Sequence, residues 1–363
     1  MGKELILVIN PGSTSTKIAL YDHDKCEASE NLSHSTEEIK KFDTIYNQKD
    51  MRENIIMDWL TSQNISISDL KAVVGRGGLL RSMPGGTYKI TDKMLEDLKI
   101  GYQGQHASNL GGVIAYSISK KANIPSFIVD PVAVDEISKE ARISGMPEIP
   151  RKSLVHALNI KAVTRRICKE ENKDFYHSSF VVAHMGGGIS VSPMKNGQIL
   201  DVNNANEDGP FSPERAGGVP VGDLIKIAYS NKYTYRELKS KLIGKAGFVG
   251  YLGTNDGRKV NEMIEEGNPK AKLVLEAMAY QISKEIVSMA TVLNGKVDAI
   301  ILTGGLAHNK KLTSLIENRV NFMCKVKLVP GEDEMLALAQ GALRALLNIE
   351  KAKIYEDEVF FND

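Results

Sequence analysis

The feature that most constrains the fold is a repeat. The apolar run 5–8 leads into Ile9-Asn10-Pro11-Gly12-Ser13-Thr14-Ser15-Thr16-Lys17 and on into the mostly apolar run 18–22. The apolar run 180–183 leads into His184-Met185-Gly186-Gly187-Gly188 and on into 189–192. Each reads as a strand, a tight loop and a returning strand. A duplication on this scale implies two related units, and 363 residues exceed what one ordinary core organises. The first loop offers hydroxyls, an amide, an ammonium and a permissive glycine, all phosphate-binding parts, though a plain polar hairpin explains it equally well. Three successive glycines in the second loop let backbone N–H groups lie against a phosphate.

The chain between the loops reads as alternating strands and helices. Segment 25–34 is expected as a third strand. Asp50-Met51-Arg52-Glu53 resembles an N-terminal cap ahead of Ile55, Ile56, Trp59 and Leu60 at helical spacing. A strand at 70–74 runs into Gly75-Arg76-Gly77-Gly78. Arg76 is then either a solvated surface charge or an anion ligand at a strand end. His106 lies just before a helix at 108–121, where it either joins an anion site or caps the turn. Asp130 follows a buried strand at 125–129 and is either a functional carboxylate or a turn-forming Asp-Pro. The two prolines in 147–151 mark the expected connection. It divides the chain into 1–150 and 151–334, with 335–363 returning to complete the first unit.

In the second part, 208–220 is a long loop rich in glycine and proline, with Phe211 as an apolar wall and Arg215 as an anion clamp. Gly244, Gly247, Gly250 and Gly253 lead to Asp256 and Arg258, in a stretch that is either a turn-rich crossing or part of a binding site. Asn268-Pro269 opens a long helix whose buried stripe includes Val274, Met278, Ile282 and Ile286. A strand at 297–302 ends in Thr303-Gly304-Gly305, which lets a flat group such as a nucleoside approach the backbone. Glu332-Asp333-Glu334 opens the helix 335–347.

Composition excludes more than it assigns. Net charge is +1, so no basic field points to nucleic acid. No apolar run is long enough to span a bilayer, and Lys3 and Glu4 precede the first strand where a signal peptide would be apolar. The 3 scattered cysteines have no metal or redox spacing and suit a reducing cytoplasm. Neither a Walker A loop nor a dinucleotide G-x-G-x-x-G is present.

Two phosphate-type loops and a late Gly–Gly element resemble the superfamily of actin, sugar kinases, heat-shock chaperones and acetate kinases. Within it the chain resembles the acetate/butyrate kinase family, its butyrate branch above all. The motifs that carry this are NPGSTSTK at 10–17, GRGG at 75–78, GQHASNLG at 104–111, AHMGGGISV at 183–191, DGPFSPERAGGVPVGD at 208–223, LTGGLAHN at 302–309 and EDEMLALAQGALR at 332–344. The resemblance implies an α/β fold of two duplicated actin-like (ribonuclease H-like) domains. Each would hold a mixed five-stranded sheet flanked by helices, with an ATP cleft between them. It implies reversible transfer of phosphoryl from ATP to a short-chain carboxylate such as butanoate, with Mg²⁺, in a cytoplasmic homo-oligomer. A branched-chain acid kinase, a sugar or polyol kinase and a non-catalytic ATP clamp are the rival readings.

Roles follow residue by residue from the matched motifs. Asn10, Ser13, Ser15 and Lys17 match the first phosphate motif, and Gly186, Gly187 and Gly188 the second, headed by His184. Arg76 matches the arginine at the carboxylate and the transferring phosphoryl, and His106 a histidine of the same site. Asp130 matches the aspartate that positions magnesium, with Glu334 near the metal, both acting through water. Gly304 and Gly305 match the adenosine motif, and Asp256 and Arg258 are assigned to the nucleotide as well. Acetate kinases have asparagine where this chain has Gly187. They also have an arginine where Pro220 stands before Val221-Gly222-Asp223, so Arg215 is expected to supply the second arginine. A carboxylate with an ordinary pKa of about 4 is already ionised at neutral pH and needs no general base. Positioning and charge neutralisation then carry catalysis.

Overall fold

The structure is a computed structural model and describes residues 4–359. Its contacts divide the chain into two units, one holding residues up to Asp135 and those from Asp333 onward, the other Glu136–Glu332. The segment 147–151, expected as the connection, lies within the second unit, and residues 360–363 of the returning segment lie outside the described residues.

The first unit is built on a sheet of β1 (Leu5–Pro11), β2 (Ser15–Asp22), β3 (Lys25–Ser33), β4 (Ala72–Arg76), β5 (Thr87–Lys89), β6 (Ser126–Val129) and, late in the chain, β12 (Lys353–Ile354). The spatial order is β12-β5-β6-β4-β1-β2-β3. The first three strands form an antiparallel meander, with Asn10 opposite Lys17. β4 then lies parallel to β1, and β6 parallel to β4. β1 is buried on both faces, which explains its unbroken apolar run. The helix Asn109–Ala122 covers one side, and it approaches β4 closely because Gly75 faces Gly111 where neither has room for a Cβ. The helix Glu334–Leu346 packs on β1, β4 and β6.

The second unit repeats the plan with β7 (Ser179–Met185), β8 (Ile189–Lys195), β9 (Gln198–Ile199), β10 (Ala299–Gly304) and β11 (Val326–Pro330), in the order β11-β10-β7-β8-β9. Again three strands meander antiparallel and two join in parallel. The duplication read from two loops is therefore a duplication of topology. The resemblance implied five strands in each sheet. The second sheet has five, whereas the first has seven because β5 pairs antiparallel with β6 and β12 joins beyond it.

Helix boundaries differ from expectation where local signals were ambiguous. The helix expected to be capped by residues 50–53 runs Lys49–Ser62 with Gln48 at its N-cap and no side-chain cap bond. Trp59 is buried as expected. Asn268 caps the helix Pro269–Val292 through bonds from the N–H groups of Lys270 and Ala271, and Val274, Met278, Ile282 and Ile286 are buried along it. The glycine-rich stretch from Gly244 is largely helical, as Gly247–Leu252 and Gly257–Glu265. Among the described residues no helix is long and apolar enough to cross a membrane.

Candidate active site

In the first unit, the turn from β1 to β2 is closed by the Gly12 N–H donating to Ser15 O at 2.7 Å. Asn10, at the end of β1, donates through Nδ2 to Glu334 Oε2 at 2.8 Å. Arg76, at the end of β4, places Nη1 2.9 Å from Glu334 Oε1 at an angle outside hydrogen-bond geometry. The carboxylate of Glu334 thus joins residues from two strand ends at the N-terminus of its own helix. Ser13 and Lys17 are exposed and Ser15 partly so.

Asp130 follows β6 with φ of 37°, a strained angle for a residue with a side chain. Two bonds to Gly86 hold it there, its N–H donating to Gly86 O at 3.0 Å and its Oδ1 accepting the Gly86 N–H at 2.7 Å. Asp130 and Glu334, expected together at magnesium, are each anchored to different partners, and no group of three or more acidic, His or Cys side chains forms a metal cage among the described residues. His106 is exposed, and its Nδ1 accepts the Ser108 N–H at 3.2 Å beside Ser108 Oγ at 2.8 Å. With Nδ1 accepting, the neutral ring carries its proton on Nε2, a donor with no intramolecular partner among the described residues.

In the second unit, the Gly186 N–H donates to Gly188 O at 2.9 Å, and Ser212 Oγ donates to Gly187 O at 2.6 Å. His184 is buried at the end of β7. Its Nδ1 lies 2.8 Å from Asn159 Oδ1, its Nε2 lies 3.0 Å from Glu332 Oε1, and its ring stacks on His156 at 4.0 Å. Asn159 Oδ1 also accepts from Thr303 Oγ1 on β10 at 3.3 Å, fixing β7, β10 and the helix Ala157–Glu170 at one point. Arg215 lies against the loop and donates from Nη1 to Ala205 O at 3.3 Å. A Cβ on Gly188 would come within 2.8 Å of Arg215 Cζ. Burial pulls the Arg215 pKa below its usual value.

A cavity of about 720 Å³ opens beside this loop. Gly186 and Gly187 line one side, Pro213, Glu214 and Asn255 to Arg258 another, and Asn261, Gly305, Leu306, His308 and Asn309 the rest. Its size and its mix of glycine backbone, apolar wall and amides suit a nucleoside. Asp256 caps the helix Gly257–Glu265, and hydrogen bonds from the Arg258 guanidinium and backbone hold its carboxyl at about 2. Gly304 does not line the cavity. It has φ of 85°, and a Cβ there would meet Met185 O at 2.5 Å, so it lets β10 turn tightly against β7. Gly305 has open space where a Cβ would stand.

The structure therefore gathers Asn10, Arg76 and Glu334 in one cluster, and Gly186, Gly187, Asp256, Arg258 and Gly305 around one cavity. It gives Gly188 and Gly304 to close packing. Sequence reasoning gave no role to His156, Asn159 or Asn255, and Asn309 entered only as the last letter of a matched motif. His156 and Asn159 stand three apart, one helical turn, which was a usable signal.

The model described as the Acetokinase family matches residues 149–354. Butyrate kinase 1 of Clostridium acetobutylicum is 54% identical over 352 residues, covering 97% of this chain and 99% of that relative. A probable butyrate kinase of Clostridium botulinum is 54% identical over 351 residues, covering 96% and 99%. Among solved structures, acetate kinase of Porphyromonas gingivalis superposes with a TM-score of 0.78 at 20% identity, covering 94% of this chain and 100% of the other, so the two share a fold.

Proposed function

The chain belongs to the acetate/butyrate kinase family, and from that premise we propose that it transfers the terminal phosphoryl group of ATP reversibly to a short-chain carboxylate, with butanoate as the substrate. The observation that carries the reading is the near-full-length identity to butyrate kinases, together with a nucleoside-sized cavity bordered by the second glycine loop. Because the acceptor is already an anion, the chemical problem is charge. We assign Asn10, Ser13, Ser15 and Lys17 to the phosphates from the first loop, and Gly186 and Gly187 to them from the second, where Gly188 leaves room for Arg215. Gly305, Asp256 and Arg258 belong to the nucleoside end, with Gly304 making the tight turn that presents Gly305. Arg76, His106, His184 and Arg215 stabilise the phosphoryl oxygens during transfer, the arginines by charge and the histidines by hydrogen bonding.

Mg²⁺ is ordinarily held by one or two carboxylates plus phosphates and water, so two separately anchored carboxylates, without a protein cage, fit that role. Asp130 and Glu334 would orient its water shell, and the ion would supply charge neutralisation at the distal phosphates. Asp130 is preset by its two bonds to Gly86, and Glu334 is set by Asn10 and Arg76.

Transfer is direct, with no phosphoenzyme, so chiral phosphate should show net inversion. Retention would overturn this. The phosphate assignment is tested by Asn10→Ala with Ser13→Ala. Raised ATP KM and lowered turnover support it, and near-normal values return the loop to an ordinary turn. The free cysteines Cys26, Cys168 and Cys324 support action in the cytoplasm. The helix Val221–Ala228 buries none of its residues, and Val221, Ile225, Ile227 and the adjacent Tyr229 are exposed, which supports a homo-oligomer. Light scattering that returns the monomer mass at micromolar concentration would contradict it.

A further inference from the structure

Arg52 is fully buried, yet every group it touches is neutral. Its Nη1 donates to Gly12 O at 3.0 Å, Ser15 O at 3.0 Å and Thr16 Oγ1 at 2.9 Å, and its Nη2 donates to Ser13 O at 3.3 Å. The remaining bonds go to Gln48 Oε1, from Nε at 3.2 Å and Nη2 at 2.9 Å. Among the described residues no carboxylate pairs with it. Burial lowers its pKa to about 10, which still leaves it a cation at neutral pH. A buried charge without a counter-ion is costly, and here only carbonyl and amide dipoles solvate it.

Those carbonyls belong to the first phosphate loop. Thr14 O is also taken from within, by the His34 N–H at 2.8 Å. The carbonyls of Gly12, Ser13, Thr14 and Ser15 are therefore all committed to interior donors. In a trans peptide the C=O and the following N–H point opposite ways. Drawing the Gly12 and Ser13 carbonyls onto Arg52 turns the N–H groups of Ser13 and Thr14 away from it. Ser13 and Thr14 are exposed, and their amides and hydroxyls make no internal hydrogen bond among the described residues. The result is an outward set of donors above a buried positive charge, the arrangement of an anion nest.

We infer that Arg52 is a positioning residue for the nucleotide phosphates, presetting the loop amides and supplying a counter-charge that a bound phosphate completes. The inference rests on the reading of loop 10–17 as a phosphate site. It asks more than loop stability does, because linkage requires that whatever neutralises Arg52 from inside weakens the anion outside.

Gln48→Glu tests that requirement. It keeps the shape of the acceptor and places a carboxylate on Arg52. The counter-charge role predicts that ATP KM rises about 10-fold or more, while adenosine affinity is unchanged and the melting temperature is equal or higher. A purely structural arginine predicts equal or higher stability with ATP KM unchanged, and that result overturns the inference. Arg52→Met removes charge and donors and should raise ATP KM about 10–100-fold, with Arg52→Lys falling between it and the parent. Ser13→Ala is measured alongside. If it raises ATP KM and Gln48→Glu does not, Arg52 has only a structural role. If neither does, the phosphate reading of the loop fails and the inference with it.

Discussion

Adjacent glycines of the second loop give opposite answers to the same substitution. A Cβ on Gly187 meets nothing within 4 Å, whereas a Cβ on Gly188 stands 2.8 Å from Arg215 Cζ and 3.3 Å from Ala205 Cβ. The obstruction at Gly188 is chiefly the far end of a flexible side chain, so in Gly188→Ala the guanidinium swings aside and the backbone stays. The fold loses the Arg215 bond to Ala205 O, about 1 kcal/mol, and regains about 0.4–1 kcal/mol because alanine restricts the unfolded chain. Stability should therefore change by less than about 1 kcal/mol, a shift of a few degrees at most. Activity should change far more. A displaced donor at a reacting phosphoryl costs on the order of 10²-fold in kcat. The assay is steady-state butanoyl phosphate formation with a thermal melt on the same samples. Gly187→Ala, whose Cβ enters the nucleotide cavity without displacing Arg215, should raise ATP KM and keep kcat within about 3-fold. Equal losses in the two variants would refute the assignment of Arg215 and place the effect in the loop backbone.

Further outcomes follow from other positions. Gly304→Ala forces a side chain into φ of 85° and against Met185 O at 2.5 Å. It should cost about 2–4 kcal/mol in urea unfolding, while Gly305→Ala, facing open space, should keep stability but weaken ADP binding in calorimetry. Glu285 carries a carboxyl raised to about 7, first by burial and then by Asp208 and Asp201, against the opposing pull of Arg151 and Lys284. Between pH 4.5, its ordinary value, and about 7 the folded state holds a proton that the unfolded state has released. Stability therefore falls as pH rises through that window, by about 3 kcal/mol at most. Glu285→Gln should flatten the slope and be the more stable protein at pH above about 8. An unchanged slope in unfolding measured from pH 5 to 8 would refute the burial argument. Glu334→Gln should raise the magnesium requirement for turnover, because the group that Asn10 and Arg76 hold loses its charge.

Much of this was legible because period and glycine placement are local signals. The strand–loop–strand repeat fixed both meanders, and Asn268-Pro269 announced its helix. Arg52 shows where local reading fails. Residues 50–53 look like a cap by composition, but Arg52, Ile56 and Trp59 share one buried helix face, and the arginine reaches loop carbonyls 37 to 40 positions earlier. Gly304 and Gly305 are adjacent letters with different tasks, one packing against Met185 and one lining the cavity. Asn159 could be recognised only once β7 and β10 were side by side. The two extra strands of the first sheet are short and lie beyond β6, one following the turn at Gly85-Gly86 and one near the chain end. No alternation of two or three residues can announce them.

The central claim is that this chain phosphorylates a short-chain carboxylate. The direct measurement is ATP turnover in the presence of hydroxylamine across linear and branched C2–C6 acids, with product identified as hydroxamate. An acyl phosphate gives the hydroxamate, and a sugar phosphate does not. The account predicts carboxylate-dependent ADP release matched one-for-one by hydroxamate, with the highest kcat/KM for butanoate. ADP release that ignores the carboxylate, or that rises only with a sugar or polyol, would contradict it.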